Sequence, residues 1–110
     1  MRMTAEELIN RFYFHDSTII DMKHRGNALI LTIDLCMYMQ RNYRDGDPEL
    51  KRITAEFIGV SDFKTDTRIA AENSEILEFS FKHNTVKLVL LNDEVSVVEF
   101  GCSEVIVGGN

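Results

Sequence analysis

The strongest constraint on the fold is the segment Leu29 to Tyr38, in which large apolar side chains alternate with a mixed set. Every second residue from Leu29 to Met37 is apolar, and a period of two places all of these side chains on one face of a β-strand. The intervening positions carry Ile30, Cys36 and Tyr38 beside polar residues. This pattern predicts a central strand that packs one face on a hydrophobic core.

Similar alternation recurs along the rest of the chain, and turn signals separate the segments. We expect further strands from Thr18 to the Gly26-Asn27 turn, and over Arg52–Val60, Ile76–Phe81, Val86–Leu91 and Val95–Phe100, with Cys102–Val107 either continuing the last strand or forming another. His83-Asn84 and Asn92-Asp93 have the composition of short hairpin turns. The first strand is predicted to carry Ile20, Met22 and His24 on one side and Ile19, Asp21 and Lys23 on the other. The inward faces are predicted to carry Leu77, Phe79 and Phe81 in the fourth strand, and Val86, Leu88 and Leu90 in the fifth.

One short helix is expected before the strands. Thr4 and Glu7 form a T-x-x-E capping box, and Leu8 and Phe12 then fall on one helical face, so the helix should end near Tyr13. Residues 62 to 74 are expected to be a polar connection with a helical turn over 68 to 72.

These elements predict a mainly β (α+β) fold in one domain that spans residues 1 to 110. We expect an antiparallel β-sandwich or a curved meander of six to seven strands with one short N-terminal helix. A parallel α/β fold is not expected, because no connection is long and helical enough to cross over between parallel strands.

The net charge of −6 is unevenly distributed. Residues 1 to 55 are neutral, whereas residues 56 to 110 hold ten acidic and four basic side chains. An acidic chain disfavours nucleic acid and anionic membranes as partners. A basic protein is the partner that such a surface would attract. The candidate binding carboxylates are Glu75, Glu78, Asp93, Glu94, Glu99 and Glu104.

The two cysteines, Cys36 and Cys102, lie in apolar stretches without the spacing of a zinc site or a disulfide framework. The first residues lack the apolar core of a signal peptide, and no apolar run has the length of a membrane span. We therefore expect a cytoplasmic protein with reduced thiols that needs no cofactor or metal.

The tripeptide His15-Asp16-Ser17 follows the predicted helix and is the one arrangement suggestive of metal or acid-base chemistry. Adjacent side chains of an extended chain point to opposite faces, so these two diverge unless the backbone turns. The favoured interpretation is a structural corner at which Asp16 or Ser17 accepts backbone N–H hydrogen bonds. The alternative is a small metal-assisted hydrolase centred on His15 and Asp16.

Apolar residues also occupy the face opposite the predicted core. They are Ile30, Cys36 and Tyr38 in the central strand, with Val89 and Leu91 in a later strand. A second sheet covers them in a sandwich, and this interpretation is favoured; otherwise they form an exposed patch for a partner or a second subunit.

The segment Phe14-His15-Asp16-Ser17-Thr18-Ile19-Ile20, followed by the glycine turn and the Leu29–Leu35 strand, resembles the opening of small bacterial β-rich proteins that include immunity-protein families of polymorphic toxin systems. The resemblance implies an antiparallel β domain and no catalytic residues. The first functional hypothesis is thus a non-enzymatic binding protein that neutralises a basic toxin. The metal-assisted hydrolase and a structural subunit of a homo-oligomer, such as a homodimer, are the alternatives.

Overall fold

The computed structural model describes residues 1–41, 43–65 and 73–109, and for Tyr38 the backbone alone. These residues form one short α-helix, a 3-10 helix and nine strands. The elements are β1 (Arg2–Met3), α1 (Ala5–Arg11), β2 (Thr18–Arg25), β3 (Ala28–Cys36), the 3-10 helix (Met37–Met39), β4 (Leu50–Ile58), β5 (Ser61–Thr65), β6 (Ser74–Lys82), β7 (Thr85–Asn92), β8 (Glu94–Gly101) and β9 (Glu104–Gly109).

All nine strands of the described residues belong to one antiparallel sheet with the order β1-β9-β4-β3-β2-β6-β7-β8-β5. The mainly β, antiparallel class with one short α-helix is confirmed. The expected six to seven strands are too few, and the favoured sandwich is wrong, because the nine described strands form one open sheet and not two. The sequence pattern misses β1, which has two residues, and β5, whose sequence SDFKT contains a single apolar side chain. The segment from Cys102 onward forms its own strand, β9. The predicted helical turn over 68 to 72 lies outside the described residues.

The strands bury one face in a single core. The alternation in β3 is confirmed, because Leu29, Leu31, Ile33 and Leu35 are all at most 1% exposed. The inward residues of β7 are confirmed in the same way. The core also includes Ile19, Ile53, Ala55, Phe57, Ile76, Val86, Leu88, Leu90, Val98, Phe100, Val105 and Val107.

Two β-bulges shift the predicted faces. In β2 the register with β3 shifts between Ile19 and Asp21, so that Ile19 and Met22, predicted on opposite faces, both lie against the core. In β6 the shift falls between Ile76 and Glu78, so that Ile76 takes the inward place predicted for Leu77. A bulge adds one residue to a strand and so inverts the faces beyond it, which a strict period of two cannot express.

The sheet has two halves that are joined by only two residue pairs, between β2 and β6. The first half contains β1, β9, β4, β3 and β2, and the second half contains β6, β7, β8 and β5. Strands β2 and β6, at the junction, share only two residue pairs, Thr18 with Glu75 and Ile19 with Ser74. The chain changes halves at Gly59-Val60, between β4 and β5, and again at Cys102-Ser103, between β8 and β9. Gly59 has a φ of +68°, and a Cβ there would collide with the side chain of Ser103.

Helix α1 begins as the sequence predicts. Thr4 Oγ1 accepts a hydrogen bond from the Glu7 N–H at 3.1 Å, and the Glu7 carboxylate accepts one from the Thr4 N–H at 3.2 Å. The helix ends at Arg11, slightly before the expected position. Leu8 is fully buried, and the Phe14 ring that follows lies 4.7 Å from that of Phe79 on β6. The helix and this aromatic contact fix the position of the His15-Asp16-Ser17 corner.

Candidate functional site

The outer face of β7 and β8 carries four apolar side chains in two neighbouring cross-strand pairs. Leu91 lies opposite Val95, and Val89 lies opposite Val97. We call these four residues the outer patch. Leu91 is 37% exposed and Val95 58%, whereas Val89 and Val97 are half-buried. Directly opposed residues on neighbouring strands have Cβ atoms about 5 Å apart, so the four side chains form one continuous apolar surface.

The exposure of this surface is unusual within the described part of the molecule. Among the described strand residues, the large apolar side chains classed as exposed are Leu91, Val95 and Leu50, and Leu50 is the first residue of β4. Scattered single apolar side chains are normal on a protein surface, but contiguous exposed ones mark interaction sites. The outer patch therefore meets the geometric condition for a site of contact with another molecule.

Four of the six candidate carboxylates surround the outer patch. Glu75 lies opposite Leu91 on β6, and Glu78 lies opposite Val89. Asp93 forms the turn between β7 and β8 and adopts a φ of +63°. Glu94, the first residue of β8, alternates with Val95 and pairs with Asn92, so it belongs to the opposite face of the sheet. Glu99 follows Val97 on the same face of β8 and is paired in register with Lys87 of β7 and Lys64 of β5.

The charges of this rim are unequal along the strands. Lys87 Nζ lies 4.0 Å from the Glu78 carboxylate, and this lysine also faces Glu99 across the strands, so positive charge is present at that end. At the turn end, Glu75 and Asp93 have no ion pair within the described residues. The negative potential is therefore concentrated beside Leu91 and Val95, the two most exposed members of the outer patch.

Glu104 does not belong to this rim. It lies on β9 in the first half of the sheet, where its carboxylate is 3.2 Å from the guanidinium of Arg2. The crossing from β8 to β9 at Cys102-Ser103 carries Glu104 away from the other candidates. The six carboxylates are close to one another along the chain, but the sheet order places Glu104 in the other half of the sheet.

The His15-Asp16-Ser17 corner is a tight turn. Asp16 has a φ of +68°, and the Ser17 N–H donates to the Phe14 carbonyl at 3.0 Å. Because the backbone turns, the side chains of His15 and Asp16 do not diverge as an extended chain would require. His15 Nδ1 lies 3.3 Å from Asp16 Oδ1, and both side chains are more than two-fifths exposed.

Ser17 connects this corner to both halves of the sheet. Its side chain is fully buried, and its Oγ accepts a hydrogen bond from the Cys36 N–H of β3 at 2.9 Å. Its carbonyl accepts one from the Ile76 N–H of β6 at 2.8 Å. Ser17 thus satisfies backbone groups of two strands that belong to different halves.

A metal centre finds no further support among the residues that the structure describes. No group of three His, Cys, Asp or Glu side chains comes together in ranges 1–41, 43–65 and 73–109. The two cysteines are unpaired; Cys36 is buried, and partial burial raises the pKa of the Cys102 thiol. His15 and Asp16 form a pair of ligands at most, on an exposed turn.

Part of the outer patch is predictable from the sequence. Val89 and Leu91 belong to it, but Ile30 is half-buried and Cys36 is 2% exposed, so neither contributes to it. Val95 and Val97 were missed as surface residues. The alternation of β8 could have identified them, because Val98 and Phe100 are buried and the residues at odd positions must then face outward.

No described helix of this protein has both the length and the apolar character needed to cross a lipid bilayer.

Comparison with protein-family models, with curated proteins and with solved structures finds no match for this chain.

Proposed function

We propose that this protein is a non-enzymatic binding domain whose partner is another protein, and that the outer patch is the contact surface. The observation that carries the proposal is the arrangement of Leu91 and Val95, exposed and contiguous, beside Glu75 and Asp93, which have no ion pair among the described residues. Protein interfaces combine an apolar centre, which excludes water, with a polar rim. The outer patch and its rim have this organisation.

The charge of the rim indicates a basic partner. Carboxylates around an apolar centre accelerate association with a positively charged protein and disfavour acidic ones. A toxin that acts on nucleic acid has a basic substrate groove, and an immunity protein that covers this groove needs an acidic surface. Together with the resemblance of the Phe14–Ile20 segment, this supports the immunity-protein function as the specific form of the proposal.

The first experiment tests the apolar centre with a matched pair of variants. We expect a gene for a basic toxin to lie beside this one, and the affinity for its product is measured by calorimetry. We expect Leu91→Ser to weaken binding by at least about tenfold, as expected for a residue at the centre of an interface. Leu50→Ser is the control, because Leu50 is also exposed, at 59%, but lies in the first half of the sheet. Equal affinities of the two variants would refute the assignment of the surface.

The second experiment tests the charge. Association rates are compared at about 50 mM and about 500 mM salt. The distance over which exposed charges attract each other, the Debye length, shortens with salt, from about 10 Å at 0.1 M to about 3 Å at 1 M. We expect the rate to fall steeply with salt, and Glu75→Gln, opposite Leu91, to reduce it at low salt more than Glu104→Gln does. Glu104 is the control because it lies outside the rim. A rate that does not change with salt would remove the basic partner from the proposal.

The competing occupant of the outer patch is a second copy of this chain, as in a homo-oligomer. Sedimentation velocity on the isolated protein distinguishes the two. We expect a monomer that forms a complex with the basic partner. A dimer that dissociates on Leu91→Ser but not on Leu50→Ser would assign the outer patch to self-association instead.

We place this function in the cytoplasm. Two free thiols, one of them buried in the core, suit a reducing compartment, where disulfides are rare.

A further inference from the structure

A second site lies in the first half of the sheet and shares no residue with the outer patch. Here α1, the 3-10 helix and the ends of β3, β4 and β9 enclose a cleft of about 770 Å³. Its apolar lining consists of Met1, Phe12, Leu35, Met37, Ile53 and Val107. Small-molecule sites are mostly apolar clefts of about 300–1,000 Å³ with a few polar groups, so this cleft has the usual size and lining.

The cleft is open because β9 ends in glycine at an inward position. Gly109 is paired with Ile53 of β4, whose side chain points into the core, and a Cβ on Gly109 would lie 3.0 Å from Ile53 Cγ2. Val107, the preceding inward residue of β9, is 8% exposed and lines the cleft. At this end β9 therefore contributes backbone and no side chain beyond Val107, and the accessible apolar surface of the cleft comes from exposed Met1 and half-buried Phe12 and Met37.

Internal hydrogen bonds fix the polar wall of the cleft. The Gln40 amide donates to the Tyr13 carbonyl at 2.7 Å and to the Cys36 carbonyl at 2.8 Å, and its oxygen accepts from the Tyr13 N–H. The Asp47 carboxylate accepts from the Arg44 N–H at 3.0 Å. A wall that is held by its own bonds needs little ordering when a ligand enters, which favours binding.

The charged groups of the lining are mostly cationic. Arg11, Arg41 and Lys51 line the cleft, and Asp47 is the carboxylate among the lining residues that the structure describes. Neither Arg41 nor Lys51 forms an ion pair with any other described residue, and the Arg11 guanidinium donates to the sulfur of Met1. In a chain with a net charge of −6, this concentration of cations around an apolar floor is distinctive.

We infer that the cleft binds a small carboxylic acid with an apolar body. The body would cover Met1, Phe12 and Met37, whose side chains line the cleft and are exposed or half-buried, and this removes apolar surface from water. The carboxylate would lie among Arg11, Arg41 and Lys51, which supply charge-assisted hydrogen bonds. An aliphatic monocarboxylate satisfies both parts of the lining, whereas an uncharged or cationic molecule with the same body satisfies one part alone.

The probe is decanoate, with decanol and decyltrimethylammonium as matched molecules of the same chain length. Titration is followed by calorimetry and by the amide NMR signals of Ile53 and Val107. We expect saturable binding of one decanoate, with decanol at least about threefold weaker and the cation weaker still, since a hydrogen bond to a charged group strengthens binding by this factor or more. Acetate, which lacks the apolar body, should not bind detectably.

The variant that tests the cationic wall is Lys51→Gln, with Lys23→Gln as its control. Lys51 is exposed and lines the cleft, whereas Lys23 is exposed on β2 beside Asp21 and does not line it. We expect Lys51→Gln to weaken decanoate about three- to tenfold and to leave decanol unchanged. Both substitutions are at exposed sites, so both proteins should fold.

Three results would overturn the inference: no saturable binding of decanoate, decyltrimethylammonium bound as tightly as decanoate, or the same loss of affinity in both lysine variants. Binding of the basic protein partner at the outer patch is measured separately with Leu91→Ser. Failure of one proposal is therefore distinguishable from failure of the other.

Discussion

The outer faces of the two halves of the sheet are built differently, although both halves share one core. On the first half, charged side chains find partners on neighbouring strands: Arg52 donates to Asp34 at 2.9 and 3.3 Å, and Arg2 lies 3.2 Å from Glu104. On the second half, Leu91 and Val95 are exposed beside carboxylates without ion pairs among the described residues. The inward residues of a strand must build the core, whereas the alternate residues are free to differ. Here they form an outer face with internal ion pairs on the first half and an exposed apolar patch on the second half.

The largest expected effect separates the two faces of a single strand. Leu90 and Leu91 are neighbours on β7, and they are 1% and 37% exposed. Leu90→Ala should lower the free energy of unfolding by about 2–5 kcal/mol, the usual cost of emptying a buried leucine site. Leu91→Ala should lower it by less than about 1 kcal/mol, because shortening a side chain at the protein surface leaves no enclosed cavity. Urea denaturation of both variants measures the difference.

A large loss of stability from Leu91→Ala would mean that the outer patch is structural, and the contrast between the two outer faces would lose its functional meaning. An unchanged stability together with the affinity loss expected for Leu91→Ser would sharpen that contrast.

The next effect concerns the place where the halves meet. Ser17→Ala removes the acceptor of the buried Cys36 N–H and should cost about 1–3 kcal/mol, the penalty for an unsatisfied buried donor. Exchange of the Cys36 amide hydrogen should accelerate more than that of amides in the middle of β7. Ser61→Ala, at an exposed position, is the control. If both serine variants have the same stability, Ser17 does not hold the junction.

A smaller effect is expected at the helix of the first half. Thr4→Ala removes the side-chain acceptor of the Glu7 N–H and should lower the free energy of unfolding by about 1 kcal/mol, the usual cost of losing a helix N-cap. The affinity of the outer patch for its partner should not change, because α1 is not part of it. A parallel loss of stability and of affinity would show that the two surfaces are coupled.

The smallest effect is expected on the outer face of the first half, at the ion pair between Arg52 and Asp34. The hydrogen bond to Asp34 and its negative charge raise the pKa of the Arg52 guanidinium above its already high value. A raised pKa means that the protonated form is favoured on folding, so this contribution is present throughout neutral pH and is lost only in strong alkali. Arg52→Gln should therefore destabilise the protein slightly at neutral pH and low salt, and less at high salt. A loss that is independent of salt would contradict a role through charge.

Parts of the fold were predictable where one set of alternate residues is apolar and the other is not. In β3 this condition holds, and its inward face was predicted residue by residue. It fails in β2 and β6, where Ile19-Ile20 and Ile76-Leu77 put apolar side chains on both faces, and the bulges lie at those pairs. Strand β5 could not be recognised, because its sequence SDFKT has a single apolar side chain. Its extended backbone is held by hydrogen bonds to β8, which the local sequence does not show.

The outer patch and its rim were predictable in composition but not in arrangement. The carboxylates were identified from the charge of residues 56 to 110, and Leu91 was identified from its parity. The separation of Glu104 from Glu99 depends on the crossing at Cys102-Ser103, where two neighbouring strands in the chain lie at distant places in the sheet order. Local patterns contain no information about such a crossing.

This crossing also has a consequence for the rate of folding. Strand β9 pairs with β4 through Ile58 and Glu104, and with β1 through Arg2 and Ile106. The first half of the sheet is thus completed by residues that are synthesised after the whole second half. Contacts between such distant segments form late because a long loop must close first, which gives β proteins folding times of about milliseconds to seconds. Until β9 arrives, β4 is an unpaired edge, and a growing chain is most exposed to misassembly during that interval.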